Sequence, residues 1–252
     1  MPINKVVSSF EEAIADVHDG ATILIGGFGT SGGCPSYLIK ALAKKGTKNL
    51  TIVGNTTGFG RELIRQLASL MHPPDWYDDV GLLVENGQVR KGIAAFPVAP
   101  SPLIVTPFEK RLNSGEVEIE MVPQGTLAAR IQAAKDGIAA FYTPTGPGTV
   151  IAKGKEIRVF DGRKYVLEHA IKADFAFVRA LKADRWGNLT YRGTSRTFNA
   201  VMAGAAKITI AEVDEIVPLG GINPELVVTP GIHVDRVVQR PEEGRTREVQ
   251  KW

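Results

Sequence analysis

Cysteine is all but missing from this chain: Cys34 stands alone, so neither an internal disulfide framework nor a cysteine-rich zinc site can be built. Histidine is scarce too. His18, His72, His169 and His233 are far apart and never in HxH or HxxxH spacing, which withdraws the usual metal signal. No apolar run approaches the roughly 20 residues that a membrane-spanning helix needs. No apolar stretch follows the charge of Met1-Pro2-Ile3-Asn4-Lys5, so no secretory signal is readable. These absences lead to the expectation of a soluble, cytosolic protein without membrane contact. Aromatics make up only 7%, and 30 Lys+Arg against 27 Asp+Glu are scattered rather than striped, which excludes the basic, aromatic-rich patch of nucleic-acid binders.

The 252 residues, 44% hydrophobic and 23% charged, suffice for a buried core and argue against disorder. Ser9 and Glu12 have capping-box spacing, and Phe10, Ala13, Ile14 and Val17 share one helical face. Thr22–Ile25 is a short unbroken apolar run, as in strands covered on both faces. The stretch from Gly26 to Gly33 holds five glycines. A helix then opens at Pro35, carries Leu38, Ile39 and Leu42, and ends at Gly46. Leu50–Val53 reads as the next strand and Leu63 to Leu70 as a helix. This alternation predicts an α/β fold with a mostly parallel open sheet flanked by helices.

Six prolines between His72 and Pro107 suggest a surface excursion around a strand at Val89–Phe96. Val117–Val122 alternates with period two, and a helix follows through Leu127 and Ile131. Ile138–Phe141 reads as a strand. Asp161-Gly162 signals a hairpin between Ile157–Phe160 and Tyr165–Leu167. Beyond it the pattern predicts a strand Phe175–Leu181, a turn at Gly187-Asn188, a helix Phe198–Ala206 and strands Ile208–Val213 and Val234–Val238. With no repeat and no linker, one domain over residues 1–239 is expected, followed by a charged, frayed tail from 240 to 252.

Gly27-Phe28-Gly29-Thr30-Ser31-Gly32 matches GxGxxG between a strand and a helix, a setting in which backbone N–H groups can approach an anion. The dinucleotide fingerprint also wants a carboxylate at the end of the second strand, and here Gly54-Asn55-Thr56-Thr57 supplies none. The loop reads as a cradle for an oxyanion or thioester, or as a tight structural turn. Glu85-Asn86-Gly87 is a turn signal, and Cys34, with no base beside it in sequence, reads as a buried apolar residue. No self-contained catalytic constellation is present. Three further polar, glycine-bearing loops follow strand patterns: 54–58, 123–126 and 142–149. Together with 26–33 they are expected to line one crevice at the carboxyl ends of the strands.

In this order those loops resemble the alpha chain of family I CoA-transferases of the 3-oxoacid and 3-oxoadipate type. The matching stretches run Asp19 to Gly29, Pro123-Gln124-Gly125-Thr126-Leu127-Ala128, Phe141 to Gly146, Ala183 to Arg192 and Thr229-Pro230-Gly231-Ile232. The resemblance implies the NagB/RpiA-like fold and a beta-subunit partner, in a heterodimer or α2β2. It implies transfer of CoA from an acyl-CoA such as succinyl-CoA to a 3-oxo acid or similar carboxylate, by ping-pong chemistry through a glutamyl-CoA thioester. The nucleophilic glutamate is expected in the beta subunit's Ser-Glu-Asn-Gly segment; Glu85 follows Val84, and the role is not transferred. Coenzyme A is then a substrate, with no permanently bound cofactor and no metal.

By motif position Gln124 is the first candidate donor to the reacting carbonyl or acceptor carboxylate. Gly125, Asn55, Thr56, Gly26, Gly27, Phe28, Gly29, Thr145 and Gly146 complete the candidate oxyanion and substrate-binding set. The sequence departs from the family pattern at several points. The loop before Pro35 is one residue longer, Thr56 replaces a second asparagine, Pro147 replaces an aromatic, and His72–Asn86 reads as an insertion. Two other readings stay open: an acyl-CoA- or ligand-binding module, and a sugar-phosphate isomerase of the same fold using Asp184 and Glu168 as acids.

Overall fold

Thr22–Ile25 forms strand β1, whose residues alternate between two apolar layers. The computed structural model describes residues 3–28, 33–66, 73–99, 101 and 103–245. Ile23 and Ile25 pack on one side of the sheet with Leu38, Ile39, Leu42 and Phe108, and Leu24 packs on the other with Leu127, Ile131 and Met202. Because both faces of β1 are covered, polar alternation is absent from it, as its sequence anticipates.

Beside β1 lie β2 (Leu50–Thr56), β3 (Val89–Phe96) and β4 (Glu118–Met121) on one flank, and β8 (Ala173–Ala183), β10 (Ala206–Ile216) and β11 (Arg236–Gln239) on the other. The order is β11-β10-β8-β1-β2-β3-β4, every pair parallel, and the two-residue β9 (Leu189–Thr190) folds back antiparallel on β8. Three strands outside that sheet, β5 (Ala140–Thr143), β6 (Ile157–Phe160) and β7 (Arg163–His169), form a second, antiparallel sheet in the order β5-β7-β6. The sequence anticipates the 157–167 hairpin but not its membership in a separate sheet. Its turn has positive φ at both Asp161 (48°) and Gly162 (75°), the geometry that favours this dipeptide.

Helices fill the crossovers. They are α1 (Phe10–Ala13), α2 (Ser36–Lys45), α3 (Arg61–Gln66), α4 (Gly81–Glu85), α5 (Pro107–Asn113), α6 (Gln124–Lys135) and α7 (Thr197–Met202). The first is shorter than its periodicity suggests. Ser9 accepts from Glu12 N–H as anticipated, but the Glu12 carboxylate turns to Ser8 N–H and Oγ. For α2, Gly46 closes the helix in the left-handed region at φ 78°. The proline-rich stretch contains a helix that its composition hides: α5 opens with Thr106 and Glu109 in a complete capping box and Pro107 in its first turn. The helix expected over Leu63 to Leu70 is α3 as far as Gln66, and Leu67 and Leu70 lie outside the described residues.

The frayed tail does not begin at residue 240 as expected. Arg240 is fully buried, with Nε 3.1 Å from Glu212 Oε1 and Nη1 3.0 Å from Asp214 Oδ1. Two carboxylates on β10, some thirty positions away in sequence, draw it in, and no local pattern reports them. Among the described residues no helix is long and apolar enough to cross a membrane.

Candidate active site

Parallel strands deliver their carboxyl ends to one edge of the sheet, and three of the four polar loops gather there, after β1, β2 and β4. β2 runs three residues beyond the expected Val53, so Asn55 and Thr56 sit on the strand itself rather than in a loop. Asn55 is buried there. Pro123 ends the β4 crossover and Gln124 begins α6, which aims the Gln124 side chain back across the sheet edge. Its Nε2 donates to Asn55 Oδ1 at 2.6 Å. Two candidates separated by 69 positions are thereby joined.

Asn55 and Thr56 line a small cleft with Ile25, Gly26, Gly27 and Phe28, and its enclosed volume is about 20 Å³, room for one water molecule. Gly26 has no space for a side chain: a Cβ there would stand 1.9 Å from Asn199 Oδ1. Asn199 fixes the loop by accepting from Arg179 N–H and donating to the carbonyls of Gly33 and Ser195. Gly27 has φ 100°, a conformation that favours glycine. Phe28 is 37% exposed and its ring stacks on Phe198 at 6.4 Å. Gly29 lies outside the described residues. Gly125 faces open space, since a Cβ built on it meets nothing within 4 Å.

Thr145 and Gly146 do not share this edge. They follow β5 in the antiparallel sheet, and their hydrogen bonds close within their own loop: Thr145 N–H donates to Thr143 Oγ1, and Gly146 O accepts from Thr149 Oγ1. The expectation of four loops along one sheet edge is thus corrected to three, because the fourth belongs to a strand of a different sheet.

The remaining wall comes from the stretch read as an insertion. Tyr77, Asp79 and Val80 line the same cleft, opposite Cys34. Sequence reasoning misses them because their signal is only a cluster of prolines and aromatics; Asp78-Asp79 before a helix start is the available clue. Asp79 is buried, and burial pushes its carboxyl pKa up, opposed by hydrogen bonds from the N–H groups of Phe59, Gly60 and Gly81. Burial likewise pushes the Cys34 thiol and the Tyr77 phenol up. The thiol is thus held in its unreactive form, as expected of a buried, apolar cysteine. The cleft offers amide and backbone donors, and its ionisable groups are biased toward their neutral forms.

The other acids are engaged elsewhere. Glu85 closes α4 with its carboxylate accepting from the N–H groups of Arg61 and Glu62 at the start of α3. Asp184 holds the turn after β8 through the N–H groups of Trp186 and Asn188. Glu168, on the second sheet, is buried and paired with Lys155 Nζ at 2.6 Å. Asp184 and Glu168 lie on different sheets with separate partners, so the acid pair that an isomerase reading requires is not assembled.

The family model described as Coenzyme A transferase matches residues 7–240. One of the two chains of the 3-oxoadipate CoA-transferase of Acinetobacter baylyi, the one designated A, is 49% identical over 238 residues, which cover 94% of this chain and 95% of that one. The corresponding A component of a probable succinyl-CoA:3-ketoacid coenzyme A transferase of Bacillus subtilis is 47% identical over 236 residues, 94% and 90% of the two chains. Among solved structures, the acyl-CoA transferase YdiF of Escherichia coli O157:H7 superposes with a TM-score of 0.80 at 24% identity. The match takes in 97% of this chain and 48% of that one, so here the likeness is one of fold and spans about half of the larger molecule.

Proposed function

The chain belongs to the coenzyme A transferase family, and from that premise we propose that it is the alpha chain of a heteromeric 3-oxoacid CoA-transferase. Its role there is to shape half of a pocket whose reactive carboxylate comes from a beta subunit. CoA passes from an acyl-CoA such as succinyl-CoA to a 3-oxo acid as a substrate of the reaction.

The observation that carries this reading is the Gln124–Asn55 amide pair set at the mouth of the Gly26–Phe28 loop. A carboxylate attacking a thioester builds negative charge on the carbonyl oxygen, which fixed donors must stabilise. One Nε2 hydrogen of Gln124 is committed to Asn55, which holds the amide in place and leaves the second hydrogen to meet the oxyanion. With the Asn55 carbonyl occupied, its own NH2 group is oriented as a further donor. The cleft carries no activated nucleophile of its own: the Cys34 thiol is held protonated, and the carboxylates of Asp79, Asp184 and Glu85 are held by backbone N–H groups. Attack by the partner's carboxylate, expulsion of the CoA thiolate and its return to the resulting acyl carbonyl leave CoA on the partner and release the first acid. The second acid then reverses the sequence.

The test uses the purified chain with and without its co-expressed partner. CoA transfer from succinyl-CoA to a 3-oxo acid is expected only with both chains, and the CoA mass adduct is expected on the partner alone. Transfer at an enzymatic rate by this chain free of any partner refutes the division of labour.

A further inference from the structure

Two walls of the cleft meet at a single buried guanidinium. Glu212, fully buried on β10, accepts with Oε2 from the N–H groups of Tyr37 and Leu38, both at 2.9 Å, in the first turn of α2. That turn follows directly from Gly33 and Cys34, and Cys34 forms one wall. Arg240 reaches Glu212 Oε1 and Asp214 Oδ1, and its guanidinium lies over two rings, 5.0 Å from the centroid of Tyr37 and 4.3 Å from that of Trp76. Trp76 adjoins Tyr77, and Tyr77, Asp79 and Val80 form the opposite wall. Lys40 of α2 fastens the same stretch by donating to the Trp76 carbonyl.

This arrangement costs the fold more than an apolar plug would. Arg240 Nε and Nη2 are buried without a well-formed hydrogen bond, and a buried ion pair is often matched or bettered in stability by apolar residues of similar volume. What the charges add is position: one cation satisfies the carboxylate that holds the start of α2 and, through its flat faces, the two rings that seat residue 76. We propose that Arg240 and Glu212 are positioning residues for the transferase reaction, setting the distance between the Cys34 wall and the Tyr77–Val80 wall. The inference rests on the functional reading above and extends it to residues that touch no substrate.

The test compares heteromers carrying Arg240→Met, Arg240→Lys, the pair Glu212→Gln/Arg240→Met and, as a control, Arg236→Ala, which removes the ion pair to Asp16 on the far side of the molecule. A displaced wall acts on substrate placement, so Arg240→Met is expected to lower kcat/KM by about tenfold to a hundredfold with KM for the acid raised. The neutral pair is expected to recover part of that loss, because it leaves no unmatched buried carboxylate at residue 212. Arg236→Ala is expected to keep the wild-type KM. Where Arg240→Met fails to fold, Arg240→Lys, which keeps the charge without the flat stacking surface, is expected to raise KM in the same direction. Amide exchange at Tyr37, Leu38 and residues 77–80 in the Arg240 variants should quicken, and this readout stands whether or not the wild-type heteromer moves CoA. Unchanged KM together with unchanged exchange at those amides, or a double variant as impaired as Arg240→Met, overturns the proposal.

Discussion

Replacing Gln124 by alanine separates catalysis from folding, and both magnitudes follow from its surroundings. The substitution deletes one amide donor from the sheet edge and leaves Asn55 Oδ1 without its 2.6 Å partner. A buried acceptor left unpaired costs about 1–3 kcal/mol. Asn55 lines a cleft of about 20 Å³ that can admit a water to the vacated position, so the cost belongs at the low end, about 1 kcal/mol. For a chain of this size that is a fall in Tm of about 2–4 °C. The loss to catalysis is larger, because removing one oxyanion donor slows turnover by about a hundredfold to a thousandfold, or about 2.7–4 kcal/mol. Steady-state kinetics of the heteromer with both substrates varied, beside a thermal melt, reads the two effects separately. A kcat reduced by less than about tenfold, or a defect confined to KM, refutes the assignment of Gln124 to the developing oxyanion.

Two further outcomes test the scaffold. Gly26→Ala puts a methyl group 1.9 Å from Asn199 Oδ1 and 3.1 Å from the Phe177 carbonyl, so it should lower stability by about 2–4 kcal/mol through overpacking and the loss of buried hydrogen bonds. The urea midpoint reports this, with Gly125→Ala, whose methyl meets open space, as the variant expected to leave it unchanged or higher. Glu120 links β4 to Arg130 of α6 at 2.6 Å and to Lys91 of β3 at 3.1 Å. Desolvation works to raise its pKa, but these two cations outweigh it and the net direction is downward from the ordinary value of 4.5. Stability from this group is therefore present above pH 4.5 and is lost as pH falls through the lower folded value. With a third of the side chain exposed, Glu120→Gln should cost about 1 kcal/mol or less at neutral pH and flatten the stability profile below pH 4.5.

The legible parts of the fold are those whose pattern is local. β1 and β3 occupy the residues that their runs of apolar and branched side chains mark out, and the hairpin turn follows from Asp161-Gly162 alone. Reading fails where a local signal has two meanings or where the cause lies far away in sequence. Six prolines suggest an irregular excursion, yet Thr106-Pro107 with Glu109 is equally a helix start, and the structure takes that choice. Charge alternation after Gln239 suggests an exposed tail, and only the position of Glu212 and Asp214 on β10 explains why Arg240 is interior. The same holds at the cleft. Gln124, Asn55 and the two glycines can be nominated from their motifs, but their meeting depends on β2 lying beside β1 and on β4 delivering α6 to the same edge. Tyr77, Asp79 and Val80 carry no motif, because their contribution is to face Cys34 across a gap that only the packed α2 defines.

The strand order also sets a timetable for synthesis. Ile23 takes Ile52 as its neighbour on one side and Phe175 on the other. At roughly 5–20 residues per second, the ribosome delivers the second neighbour roughly 6–25 s after the first. Throughout that interval the innermost strand of the finished molecule is an open edge on the nascent chain, apolar on both faces and without charge or proline to blunt it. The site of greatest burial in the mature protein is thus the site of greatest risk while the protein is being made, and the segment bearing β8 ends that exposure when it arrives.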